Sequence, residues 1–97
     1  MGKMAELGTL RKSIVPILKK NDVVRAGIFG SYSRGEQTRK SDIDLLIQFK
    51  GGKSLFDLVG LEHQLKVILK KKVDVLTYNS IHPLLKERIL KDEVRIL

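Results

Sequence analysis

The chain has no cysteine and no tryptophan, two prolines, and just three phenylalanines and two tyrosines among 97 residues. Without cysteine there are no disulfides, no thiolate metal sites and no cysteine nucleophile. No apolar stretch approaches the roughly 20 residues of a membrane span. The opening MGKMAELGTL lacks the apolar run of a secretory leader. Met1-Gly2 begins like a myristoylation site, but Glu6 stands where serine or threonine is required. These absences exclude a membrane role and fit a reducing compartment, so a cytoplasmic location is expected. The aromatics Phe29, Tyr32, Phe49, Phe56 and Tyr78 are too sparse to form a base-stacking surface, which argues against single-stranded nucleic acid as a partner. No G-x-S-x-G nucleophile elbow occurs.

What the chain has in excess is positive charge: 19 basic against 11 acidic residues, a net +8. Such a balance suits an anionic partner, whether nucleotide, nucleic acid or acidic protein. A solvated lysine-rich surface accounts for it equally well. The cations fall in short clusters, Lys19-Lys20, Arg39-Lys40 and Lys70-Lys71-Lys72. A chain of this length is expected to form one domain, 1–97. It would bury roughly 60–70% of its unfolded surface in one modest core.

Residues 5–20 carry Leu7, Leu10, Ile14, Ile17 and Leu18 at near-helical spacing, with Pro16 expected to kink or split the helix. Val23–Phe29 reads as a strand, Ser31–Glu36 as a short helical turn and 37–41 as a polar loop. Ile43–Phe49 is the clearest strand, and its nearly continuous apolar run predicts burial on both faces. Ser54 is a candidate N-cap, with Asp57 completing a capping box. The stripe Leu55, Leu58, Leu61, Leu65 and Ile68 follows. Lys70–Lys72 then complement the helix dipole. Val73–Thr77 is a third strand. Asn79 or Ser80 can cap a last helix with Pro83 in its first turn and an apolar face of Leu84, Leu85, Ile89 and Leu90. Val94–Leu97 can add an edge strand. The order α-β-α-β-α-β-α predicts an α/β (α+β) fold, a small sheet flanked by helices.

Within this frame one stretch carries chemistry: GSYSRGEQTRKSDIDLLI, Gly30–Ile47. Gly30-Ser31 ends the first strand and Asp42 and Asp44 begin the second. Antiparallel pairing would bring them to one sheet edge. The helical crossover makes the second and third strands parallel neighbours, which sets Asp74 level with the start of the second. The sheet is then mixed, and three carboxylates meet one Gly-Ser turn. Asp42 and Asp44, two residues apart, share a face and repel each other unless a cation intervenes. Their oxygens suit magnesium, and Asp74 can complete a site for a second ion. Asp42 could instead be a turn residue and Asp44 a solvent-facing one. Yet Asp44 and Asp74 both sit among apolar neighbours in strands, where aspartate is disfavoured. Gly30 and Gly35 have P-loop spacing, but Glu36 and Gln37 replace the required Lys and Ser/Thr, so a Walker-type site is rejected. His63 reads as a surface or core residue and His82 as a capping or turn residue.

GSYSRGEQTRKSDIDLLI resembles the signature of the polymerase-beta-like nucleotidyltransferases, and length and the SDIDLLI strand resemble its minimal nucleotidyltransferases most. The resemblance runs from about Leu10 to Leu97, with VDVLT as the strand of the third carboxylate. Ser33 departs from the Ala or Gly common there. The resemblance implies that Gly30 and Ser31 hold the β- and γ-phosphates of a nucleoside triphosphate, ATP by analogy. It implies that Asp42 and Asp44 bind two Mg2+ ions, and that Asp74 contacts the catalytic ion and helps deprotonate the acceptor hydroxyl. Arg34 matches no obligatory motif position and is assigned either to the triphosphate or to a partner. The implied activity is transfer of AMP to a hydroxyl of a HEPN-type toxin, with this chain as antitoxin. The alternative is a binding antitoxin or regulatory nucleotide-binding module without catalysis. A homo-oligomer is left open.

Overall fold

Three runs rich in β-branched and aliphatic residues form strands where the sequence places them: β1 (Val23–Phe29), β2 (Ile43–Phe49) and β3 (Val73–Thr77). The computed structural model describes residues 3–97, with side chains described from residue 7 onward; Met1-Gly2 lies outside the described residues. The helices are α1 (Lys3–Lys20), α2 (Ser31–Arg34), α3 (Leu55–Leu69) and α4 (Pro83–Asp92), and a two-residue strand β4 (Val94–Arg95) follows. Among the described residues no helix is long and apolar enough to cross a membrane.

The strands form one sheet in the order β3-β2-β1-β4. β1 runs antiparallel to β2 and to β4, while β2 and β3, joined through α3, are parallel. The mixed sheet is therefore the expected one. Its edge strand β4 is shorter than the anticipated Val94–Leu97, although the Ile96 N–H still donates to the Ala26 carbonyl at 3.0 Å.

One face of the sheet makes the core. Ala26 and Ile28 of β1, Ile43, Leu45 and Ile47 of β2, and Val73 and Val75 of β3 pack with Ile14 and Leu18 of α1 and Leu61 and Leu65 of α3. Each such side chain stabilises the fold by about 1.5–3 kcal/mol when fully buried. The α3 stripe is seated only at its centre. Leu55 is 72% exposed and Ile68 55% exposed, and Leu69 packs against the core in place of Ile68.

Pro16 neither splits nor ends α1, which is one helix from Lys3 to Lys20. The proline lies on the exposed side, and the carbonyl it cannot serve belongs to Lys12, itself exposed, where water can satisfy it. At the head of α3 the Ser54 N–H donates to Asp57 Oδ2 at 2.8 Å, as a capping box requires. Hydrogen bonds from Ser54 hold the Asp57 carboxyl below its ordinary value. The cap of α4 differs from expectation. Asn79 and Ser80 belong to a 3-10 turn, Tyr78–Ser80, and His82 caps the helix, its Nδ1 accepting from the Leu84 N–H at 3.1 Å.

The opposite face of the sheet carries Asp44, Leu46 and Gln48 of β2, set between Phe29, Gly27 and Arg25 of β1 and, for the first two, Asp74 and Leu76 of β3. Burial on both faces of β2 holds at Leu46, whereas Asp44 is half-buried and Gln48 exposed. The middle of this face is covered by the C-terminal segment. Glu93 lies so close to Gly27 that a Cβ there would overlap its carboxylate. The Tyr78 hydroxyl donates to Glu93, and the Arg25 guanidinium stacks 4.3 Å from the Tyr78 ring centre. Burial, aided by Glu93, pushes the Tyr78 phenol up to about 12, so it remains a donor. The end bearing Asp44 and Asp74 lies beyond this cover.

Leu65, fully buried between α3 and the sheet, gives a direct test of the core. Leu65→Ala is expected to cost about 2–5 kcal/mol, read as a lower urea midpoint with the slope of the transition unchanged.

Candidate active site

The site begins where β1 stops. Gly30 follows Phe29 with φ 76° and ψ −150°, a conformation that L-residues resist. Space imposes the same choice: a Cβ on Gly30 would run into the Asp44 carboxylate. The antiparallel register explains the contact, because Phe29 is the cross-strand partner of Asp44. Ser31 then starts α2. The first N–H groups of a helix have no acceptor within it and point outward at its positive end. The turn is braced from inside. The Ser33 hydroxyl donates to the Gly30 carbonyl at 2.7 Å, and the Glu36 N–H donates to the Ser31 carbonyl at 2.9 Å. Gly35, left-handed at φ 69°, ends the helix.

Asp44 and Asp74 are neighbours, as the topology requires. In the parallel register Asp44 pairs with Asp74, and Asp42 lies one residue ahead of the Ile43–Val73 pair. Burial, then the charges of Asp74 and Asp42, raise the Asp44 carboxyl above its ordinary value, while Arg34 opposes the shift. Asp42 immediately precedes β2, and its Oδ2 lies 3.8 Å from the Lys72 Nζ. Among the described residues no three His, Cys, Asp or Glu side chains form a ready-made metal cage. The donor set nevertheless fits a hard divalent cation. Magnesium commonly takes one or two carboxylates and fills its remaining positions with water and substrate phosphate. Unneutralised repulsion at Asp44 is what such a charge would relieve.

Arg34 ends α2 with its guanidinium between two acids. Its Nε donates to Glu36 Oε1 at 2.6 Å and its Nη1 to Asp92 Oδ2 at 2.5 Å. The cations at the end of α3 also make specific contacts beyond the helix. Only Lys70 closes α3, in a left-handed conformation. Lys71 instead donates to the carbonyls of Arg39 at 3.0 Å and Ser41 at 3.5 Å, pinning the loop that leads into Asp42. Lys72 faces Asp42, so the Arg39-Lys40 and Lys70–Lys72 clusters meet beside the carboxylates. The register carries this signal: pairing Ile43 with Val73 sets Lys72 level with Asp42. The part played by Asp92 and Glu93 was not anticipated either. Its trace in the sequence is Gly27, a glycine inside a strand, which marks close approach by another segment.

A carboxyl whose folded-state value is raised contributes stability below its unfolded value and loses it as pH rises through the folded one. Asp44→Asn is therefore expected to stabilise the metal-free protein at neutral pH, with the gain vanishing in acid, as thermal melts across pH will show. Added magnesium should raise the melting temperature of the wild type more than that of Asp44→Asn. Gly30→Ala should destabilise the fold and move Asp44. A Gly30→Ala variant with wild-type stability and magnesium response would contradict the contact described.

The residues 11–97 match the family model described as the nucleotidyltransferase domain. In Methanocaldococcus jannaschii a relative named "Putative protein adenylyltransferase" is 57% identical over 91 residues, covering 94% of this chain and 98% of its own length. The protein adenylyltransferase MntA of Thermococcus cleftensis is 34% identical over 70 residues, 72% of this chain and 71% of that protein. Among solved structures, one described as a "putative minimal nucleotidyltransferase" superposes with a TM-score of 0.80 at 31% identity, covering 97% of this chain and 95% of the other. A toxin-antitoxin crystal structure with AMP-PNP gives a TM-score of 0.80 at 25% identity, over 90% of this chain and 72% of that one. With the Gly-Ser turn at the end of β1, Asp-x-Asp entering β2 and Asp74 beside it on β3, the chain belongs to the minimal nucleotidyltransferases of the polymerase-beta-like superfamily.

Proposed function

We propose that this chain is a protein adenylyltransferase that moves AMP from ATP to a hydroxyl of a HEPN-type toxin, and so serves as the antitoxin of that pair. The observation that carries the reading is the meeting of the Gly30 turn with Asp44, and of Asp44 with Asp74 across the β2–β3 register. The relatives named above as adenylyltransferases, and the toxin-antitoxin structure that holds AMP-PNP, support ATP as the nucleotide and a toxin as the acceptor.

The backbone N–H groups at the head of α2 and the Ser31 hydroxyl bind the β- and γ-phosphates. Arg34 adds positive charge on the same side. Asp42 and Asp44 would hold magnesium, with Asp74 a ligand as well. Bound there, magnesium supplies charge neutralisation to the phosphate oxygens. Asp74 takes the proton of the acceptor hydroxyl. The hydroxyl oxygen forms a bond to the α-phosphorus as the bond from that phosphorus to the bridging oxygen breaks, and pyrophosphate leaves. The chain, taken as one domain over 1–97, contributes the nucleotide half of this reaction, and the partner contributes the hydroxyl.

A second reading is neutralisation by binding alone. Apolar side chains left exposed on α3 and α4, among them Phe56 at 88% and Leu84 at 87%, favour it. One experiment separates the two. Label from ATP is followed into a HEPN-type toxin from the same genome, with magnesium present. Asp42→Asn combined with Asp44→Asn is expected to reduce transfer at least about a hundredfold and to abolish protection of cells. Undiminished transfer by the double variant would overturn catalysis, and full protection without transfer would establish the binding reading.

A further inference from the structure

We infer that Asp92, at the end of α4, is a positioning residue for the nucleotide: it holds the Arg34 guanidinium on the triphosphate side of the site. The inference rests on the proposed nucleotide site and assigns to the C-terminal segment a part in it.

Arg34 has a long, half-exposed side chain on a helix of four residues. Left alone it would sample many rotamers, and ordering it on a phosphate would cost about 1–2 kcal/mol in side-chain entropy. Two carboxylates order it beforehand, from Nε and from Nη1. They differ in quality as anchors. Glu36 is 62% exposed and lies two residues along the same turn, so it moves with Arg34. Asp92 is 25% exposed and reaches Arg34 from 58 residues away in sequence.

Asp92 is itself fixed. The next residue, Glu93, presses on Gly27 and accepts from the Tyr78 hydroxyl. Val94 and Arg95 pair with Ile28 and Gly27 of β1. The Leu97 carbonyl accepts from the Ala26 N–H at 3.1 Å, and the Ile96 carbonyl from Arg11 Nε at 3.2 Å. The segment after α4 is thus tied to the strand that delivers Gly30. Asp92 transmits that fixed position to Arg34, whose own backbone N–H donates to the Gly30 carbonyl at 3.3 Å, one helical turn from the phosphate-binding turn. A charge-assisted hydrogen bond such as that to Asp92 sets the plane of a guanidinium as well as its place.

An interaction made equally with bound ATP and with the transition state changes affinity and leaves the chemical step alone. The test uses the full chain and magnesium–ATP, with the dissociation constant by calorimetry and KM and kcat for adenylyl transfer. Asp92→Ala is expected to raise both the dissociation constant and KM about tenfold, with kcat within about twofold of wild type. Glu36→Gln should change them less. In an Arg34→Ala background, Asp92→Ala should have no further effect on affinity, as for two residues acting as one unit. Tighter binding by Asp92→Ala would show that Asp92 withholds Arg34 from the nucleotide, and would overturn the inference. So would a full tenfold loss persisting without Arg34, because Asp92 would then act through the general stability of α4. The comparison is a ratio of nucleotide affinities, so it is read whether or not a toxin accepts AMP. Failure of transfer with that ratio intact overturns only the assignment of the acceptor.

Discussion

The approach of Gly30 to Asp44 is the contact on which the rest of the site depends. It fixes three things at once. The chain must turn with a positive φ directly after β1, β1 and β2 must keep their register, and a carboxylate must lie against the backbone that heads α2. An anion beside such a helix start is favourable in isolation. Here it is opposed by burial and by two further aspartates, and the raised Asp44 carboxyl records the outcome. In the metal-free site Asp44 is thus opposed first by burial and then by the two neighbouring carboxylates. Carboxylates and a triphosphate cannot neutralise one another, which is the physical reason to expect a cation between them.

The surroundings of the site work to keep that charge in place. Lys71 and Lys72 lie just beyond the Lys70 cap of α3. One ties down the loop before Asp42 and the other faces Asp42 itself. On the other side the C-terminal segment lies over Gly27 and carries Asp92 to Arg34. A sheet of four short strands has little core on its second face. Leu46 and a hydrogen-bonded group of Glu93 and Tyr78, with Arg25 stacked on the ring, substitute for one there. The cost of placing polar groups against a strand is offset in part: the Tyr78 hydroxyl meets a carboxylate and the Arg25 guanidinium a ring, while Arg25 Nε is buried without a hydrogen-bond partner.

Much of this was legible from the sequence, for identifiable reasons. The strand bounds could be read because Val, Ile and Leu runs are interrupted by Gly30, Lys50 and Tyr78-Asn79, and parallel pairing of β2 with β3 follows from the α3 crossover. From those two facts alone Asp74 arrives beside Asp44. What depended on tertiary approach was not legible. Pro16 looked disruptive because a pattern of apolar positions does not say that its unsatisfied carbonyl will face water. Leu55 and Ile68 fit a helical stripe, yet only the middle of α3 lies against a sheet this small. Asn79 and Ser80 are better cap residues than His82 by type, but the Pro83 ring fixes where the helix can start and leaves the cap to its predecessor.

The distribution of surface follows from the same economy of length. Every residue that touches the nucleotide in the proposed reaction lies at one end of β1, β2 and β3 or on α2. α3 is packed by its inner residues alone, with Leu55, Phe56, Val59, Val67 and Ile68 left in water. A chain that placed its apolar residues only for its own core would not leave Phe56 almost fully exposed. Leu55, Phe56 and Val59 lie at the head of α3, whereas Val67 and Ile68 lie in its last turn, close in the chain to Lys71 and Lys72 at the carboxylate edge. Replacing Asp42 and Asp44 leaves those apolar residues in place, so loss of catalysis can be read apart from loss of partner binding.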